Sequence, residues 1–277
     1  MRKIVFSLMT AALALTACNN APKQEAQEEE ATAPKALILY YSQTGTTKTI
    51  ADLIQKHTEA DEVAFTVKEA YPADYGEVLA RCQQEKADGA MPELDSIQVD
   101  FSQYDVIYLG YPIWFETYAN PVASLLETGK LNGKKIVPFC TFGSCGRIPS
   151  AQDLKKNLPD SEITEPFGIR AALIDQAPAQ VENFLIKIGM LEGEYQEPAA
   201  YGQEKEVTPE ETAIFTAAVG DYPMLKATAV KVAERTTATG TDYKFTVDEQ
   251  TADGVKPATV YVTAAEGAAP VFTEVIR

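Results

Sequence analysis

The chain has 277 residues, 45% hydrophobic and 23% charged, which allows a packed core and a second domain with flanking segments. Its formal net charge of −16, from 24 Lys+Arg against 40 Asp+Glu, excludes the basic footprint of a nucleic-acid binder and suits a basic protein partner. A single histidine, His57, excludes His-rich metal centres and unaided Ser-His-Asp hydrolysis, and no metal-ligand set or catalytic acid–base pair stands out.

The chain opens with Arg2 and Lys3 and an apolar run from Ile4 to Leu15, too short to span a bilayer. The run closes on Leu15-Thr16-Ala17-Cys18. This resembles the lipobox of bacterial lipoprotein signal peptides. The resemblance implies that residues 1–17 are removed, that Cys18 is acylated, and that the protein is anchored to a membrane outside the cytoplasm. Residues 18–34 are polar, with Glu28-Glu29-Glu30 in sequence. They carry too little apolar surface to repay ordering and read as a disordered tether.

From residue 35 to about 190, strand and helix signals alternate. Apolar runs at Ala36–Tyr41, Val106–Gly110 and Lys135–Cys140 suit strands buried on both faces. Further strands fit Glu62–Val67 and Glu162–Ile169. Helical periodicity follows the first strand, with Ile50, Leu53 and Ile54 on one face and His57 at its edge. It recurs at Asp74–Lys86 and Ala179–Ile188. The pattern predicts an α/β domain with a doubly wound, five-stranded parallel sheet. Ligands of such sheets sit beyond the carboxyl ends of the strands.

Three loops fall at those ends. Ser42-Gln43-Thr44-Gly45-Thr46-Thr47 places hydroxyls, free amides and a glycine at a helix N-terminus, which suits a phosphate. It has neither the lysine of a P-loop nor the three glycines of a dinucleotide fingerprint; read alone, it is equally a helix cap. Gly110–Thr117 carries the only tryptophan, Trp114, either a stacking surface for a flat ring or a core aromatic. Thr141–Arg147 has glycines that bare backbone amides. Arg147 reads as a solvated side chain, Cys82 as helix packing, and Cys140 and Cys145 as two free thiols rather than a disulfide.

Taken in order, Ser42-x-Thr44-Gly45-x-Thr47, the Tyr111-Pro112-Ile113-Trp114 loop and the Thr141 loop resemble the flavodoxins that carry a Tyr-Pro-Ile-Trp flavin loop. The resemblance covers residues 35 to 190 and implies FMN as cofactor. It implies that Ser42, Gln43, Thr44, Gly45, Thr46 and Thr47 hold the phosphate and that Pro112, Ile113 and Trp114 flank the isoalloxazine. Thr141, Phe142, Gly143 and Gly146 would border the pyrimidine edge. The third loop departs from the family pattern at Phe142 and Cys145, where small residues are usual. Acidic surroundings would lower the flavin potential, since they disfavour added negative charge.

Residues 191–206 form a polar linker. Beyond it, Thr208-Pro209-Glu210-Glu211 opens a helix that runs to Val219. Strands are expected at Ala227–Arg235, Thr241–Glu249, Ala258–Ala265 and Pro270–Ile276. One helix before a meander makes residues 207–277 a small α+β module resembling cystatins. The cystatin inhibitory hairpin matches only at Gly240 of Thr236–Gly240, so the fold is carried over and the inhibition is not. Two functions follow: an FMN-dependent electron carrier or reductase outside the cytoplasm, working with a redox partner of basic surface, or a flavin-free binding or envelope-assembly module on the same fold.

Overall fold

A computed structural model describes residues 34–220, 222 and 224–277. The leader, Cys18 and nearly all of the tether lie outside them. The first domain contains β1 (Ala36–Tyr40), α1 (Thr46–Thr58), β2 (Asp61–Ala64), α2 (Tyr75–Asp88), β3 (Val106–Trp114), β4 (Thr117–Tyr118) and α3 (Asn120–Glu127). It continues with β5 (Lys135–Phe142), α4 (Arg147–Asn157), β6 (Glu162–Ile163), β7 (Phe167–Arg170) and α5 (Ala177–Lys187). The parallel strands run β2-β1-β3-β5, then β6 and β7 together at the fifth position. This is the expected α/β architecture.

The apolar runs explain the two layers. Side chains alternate across a strand. Leu37, Leu39, Ile107, Leu109 and Ile136 therefore face a core built with Val78 and Cys82 of α2, Val122 and Leu125 of α3 and Leu154 of α4. Ile38, Tyr40, Val106, Tyr108, Val137 and Phe139 face the opposite core, with Ile50 and Ile54 of α1 and Val181 and Leu185 of α5.

The second strand ends at Ala64 rather than Val67 and the fourth runs on to Phe142, and two others differ more. The fifth is broken at residues 164–166 into β6 and β7. Opposite the break, Pro138 of β5 has no N–H to give the ladder. The third does not end at Gly110: it continues to Trp114 and turns through Phe115 and Glu116 into β4. Gly110 lets it pass, since a Cβ there would lie 2.2 Å from the Phe139 ring.

The second module contains β8 (Lys205–Glu206), α6 (Pro209–Val219), β9 (Ala227–Thr237), β10 (Gly240–Thr251), β11 (Gly254–Ala265) and β12 (Val271–Ile276). Its antiparallel sheet has the order β12-β11-β10-β9-β8. Thr208 caps α6 reciprocally: its Oγ1 accepts the Glu211 amide, and its amide donates to Glu211 Oε2 at 2.7 Å. Phe215 and Ala218 of α6 pack on Val232, Phe245, Val260 and Phe272 of the sheet. The segment before α6 is not a free linker. Gly202 N donates to Glu234 O at 2.8 Å, Tyr201 packs on Tyr261, and β8 pairs with β9.

Candidate functional site

The loops after β1, β3 and β5 converge at the carboxyl edge of the parallel sheet, where β1 and β3 lead to helices on opposite faces. In the first loop Gly45 is the N-cap of α1 at φ 89°, a conformation costly for any residue with a Cβ, and the space a Cβ would enter is open. Ser42 Oγ accepts the amides of Gly45 at 3.1 Å and Lys48 at 3.3 Å. This folds the loop back over the helix end. Thr44 and Thr46 lie 3.2 Å apart, hydroxyl to hydroxyl, on the accessible side. The amides of Thr46 and Thr47 belong to the first helical turn and have no intrahelical acceptor. Lys48, the adjacent cation, is paired with Asp52 at 2.5 Å.

Two residues of this loop point away from the cradle. The Gln43 side chain donates to Tyr71 O at 3.3 Å and Pro72 O at 2.8 Å and accepts from Tyr41 OH at 2.5 Å. Only its backbone is left for a ligand. Burial pushes the Tyr41 phenol up to about 12, with Arg81 opposing, so it stays a donor. Thr47 is buried and exchanges its hydrogen bond with Thr141 Oγ1 at 2.9 Å, tying the first loop to the third.

The second loop is a hairpin turn. Phe115 and Glu116 occupy φ 50° and 65°. A two-residue hairpin favours that conformation, but non-glycine residues adopt it only under strain. Pro112 and Ile113 are half-buried, and Phe115 is 52% exposed. Trp114 is 5% exposed: its ring meets Tyr71 edge-on at 4.8 Å and Tyr41 at 5.9 Å. The expectation of an open stacking surface is corrected to that of a core aromatic, because Tyr71 arrives from the segment after β2 and covers it. Tyr71 is itself fixed by its bond to Glu85 at 2.6 Å and by the Arg81 guanidinium 3.9 Å over its ring. Burial and Glu85 raise its pKa, so it too remains protonated.

In the third loop, Thr141 and Phe142 prove to be the buried last residues of β5, with Phe142 in the same core as Trp114. Gly143 is exposed with open space beside it. Gly146 is buried at φ 103°; a Cβ there would lie 2.3 Å from Ile113 Cγ2, so glycine lets the second and third loops touch. Arg147 is not a solvated side chain. It forms a two-pronged pair with Glu274 of β12 at 3.2 and 2.9 Å, and Glu274 raises its pKa against the lowering effect of burial. Cys82, Cys140 and Cys145 are free thiols; burial raises the pKa of each.

Comparison with known proteins decides the family. The family model described as flavodoxin matches residues 35–179, just over half of the chain and the span that carries all three loops. The chain belongs to the flavodoxin family. It is similar to a Lactobacillus acidophilus flavoprotein solved in complex with FMN, at 24% identity over 52% of this chain and 98% of that one, TM-score 0.45. It is similar also to chains described as flavoproteins from Bacteroides eggerthii, at 28% identity over 54% and 98%, TM-score 0.46, and Bacteroides uniformis, at 26% identity over 53% and 97%, TM-score 0.48. No curated protein matches it.

Family membership makes FMN the cofactor, and the donor set of this flavodoxin fits one. The hydroxyls of Thr44 and Thr46, first-turn amides and the helix dipole suit a phosphate monoester without a cation. Pro112, Ile113 and Gly143 offer partly exposed, mainly apolar surface for the ring. Tyr71, which covers Trp114, and Ser144, which faces the second module, left no signal in the sequence; Cys145, which also faces that module, stood out there only as a thiol and a departure from the family pattern.

Proposed function

We propose that this flavodoxin is a lipid-anchored electron carrier of the bacterial envelope, using FMN outside the cytoplasm and meeting a partner of basic surface. The observation that carries the reading is the Ser42–Thr47 cradle at the N-terminus of α1, set at the carboxyl end of a central strand. Bound FMN supplies one- and two-electron transfer; the chain contributes positioning and shielding. Thr44 and Thr46 donate to the phosphate, Gly45 leaves room for it, and Pro112 and Ile113 exclude water from the ring. The excess of 40 acidic over 24 basic residues steers a basic partner and holds the flavin potential down. The second module, cystatin-like in this reading, serves as a protein contact.

Titration of FMN into flavin-stripped protein tests the reading. Fluorescence quenching at a one-to-one ratio is expected at micromolar concentration or below. Burial of Trp114 under Tyr71 favours a second reading, a flavin-free binding module, and absence of quenching would establish that one instead.

The anchor is proposed from Leu15-Thr16-Ala17-Cys18. No helix among the described residues is long and apolar enough to cross a membrane. Cys18→Ala should move the protein from the detergent phase to the aqueous phase, or leave the leader uncleaved. Unchanged partitioning with a normally processed chain would refute the anchor.

A further inference from the structure

The second module grips the two loops that face the flavin ring. Val275 N of β12 donates to Ser144 O at 2.9 Å, and Tyr222 OH donates to Ser144 Oγ at 2.7 Å. Arg170 donates to Gly143 O and to Phe272 O of β12, both at 2.8 Å, and so links the third loop to the second sheet. Arg277 is held by the buried Glu249 through two bonds of 2.8 Å. From there it donates to Glu116 Oε1 at 2.6 Å and reaches Cys145 Sγ at 3.0 Å. Glu116 lies in the strained turn of the second loop, and its backbone is 3.1 Å from where a Gly146 Cβ would stand. One guanidinium thus joins the second loop, the third loop and the second module.

We propose that the second module is a positioning element of the flavin site. Arg277, Tyr222 and β12 fix the Phe115–Glu116 turn against the third loop, so that binding the flavin ring and docking the module favour each other. This rests on the FMN reading above. The physical ground is that a turn at positive φ persists only where its surroundings overdetermine it. Here one of those surroundings, Arg277 on Glu116, comes from the other module. Among the described residues the phosphate cradle at Ser42–Thr47 has no direct bond to that module and meets the third loop only through buried Thr47, away from Thr44 and Thr46, so the coupling acts on the ring rather than on the phosphate.

The test uses the full chain with Arg277→Gln, and a milder Glu116→Gln/Tyr222→Phe variant that leaves the Arg277–Glu249 pair intact should the first fail to fold. Dissociation constants for FMN and riboflavin are read by fluorescence quenching, with hydrogen exchange at the Val275 amide as an independent readout. Both flavins should weaken by about tenfold, with their ratio unchanged, and Val275 exchange should accelerate. By reciprocity, FMN should slow that exchange in the unmutated chain. Faster exchange with both affinities within twofold of the unmutated values would overturn the proposal. So would an effect on FMN alone. No flavin binding by the unmutated chain would overturn the FMN reading itself, and this inference with it.

Discussion

Trp114→Ala should destabilise the flavodoxin domain by about 3–5 kcal/mol, the cost of emptying a large aromatic site in a core. The indole is 5% exposed and lies in one cluster with Leu109, Tyr111 and Phe142, its edges covered by Tyr71 and Tyr41. Against a total stability of about 5–15 kcal/mol, that loss brings the domain near its threshold and lowers Tm by about 10 °C or more. Denaturant melts of flavin-free protein, followed by circular dichroism, measure it. Trp114→Phe keeps a ring against Tyr71 and should cost far less. A solvent-facing residue would change stability by only about 0.5 kcal/mol either way. A Trp114→Ala cost below about 1 kcal/mol would therefore show that the indole stands open to a ligand. Any loss of flavin affinity in Trp114→Ala must be read beside its stability.

Thr44→Ala combined with Thr46→Ala should weaken FMN by about two to four orders of magnitude and leave riboflavin within twofold. Hydrogen bonds to a charged acceptor contribute about 1.5–3 kcal/mol each, and each 1.4 kcal/mol is a factor of ten in affinity. Both hydroxyls are accessible and satisfied chiefly by each other at 3.2 Å, so they can turn to a phosphate at little cost. Thr47 is the wrong partner for this experiment. The residue is 1% exposed and its hydroxyl is engaged with Thr141, so its loss would perturb the core and both ligands together. Parallel titrations of FMN and riboflavin into the stripped double variant decide the matter. Equal weakening of both would show that these threonines do not meet the phosphate.

Much of the fold was legible because buried parallel strands write themselves as unbroken apolar runs. Leu37–Leu39 and Ile107–Leu109 could be read as strands from composition alone. The helix start at Thr208-Pro209-Glu210-Glu211 was equally local. What escaped depended on distant partners. Nothing near Trp114 announces that Tyr71 will cover it, and nothing near Gln43 announces that Tyr71 and Pro72 carbonyls will capture its amide. The break between β6 and β7 lies opposite Pro138, visible in the sequence, but its effect on the next strand needed the pairing register. Arg147 looked like a surface charge because its partner, Glu274, is 127 residues away. In the site, the phosphate cradle was readable as one contiguous stretch. The ring side was not, since its geometry is set by contacts from several elements.

The bond from Val275 to Ser144 also bears on solubility. β12 is the outermost strand of the second sheet, and an outermost strand offers unpaired N–H and C=O groups to any other extended chain. Here its Val275 N–H is occupied by the Ser144 carbonyl and its Phe272 carbonyl by Arg170. At the opposite margin lies β8, a strand of only two residues, both charged and exposed. Such a short, charged strand is a poor template for another chain. The α/β domain thus serves as an edge cap for its neighbour, and a protein severed between the two would present a sticky β-margin that the intact chain keeps closed.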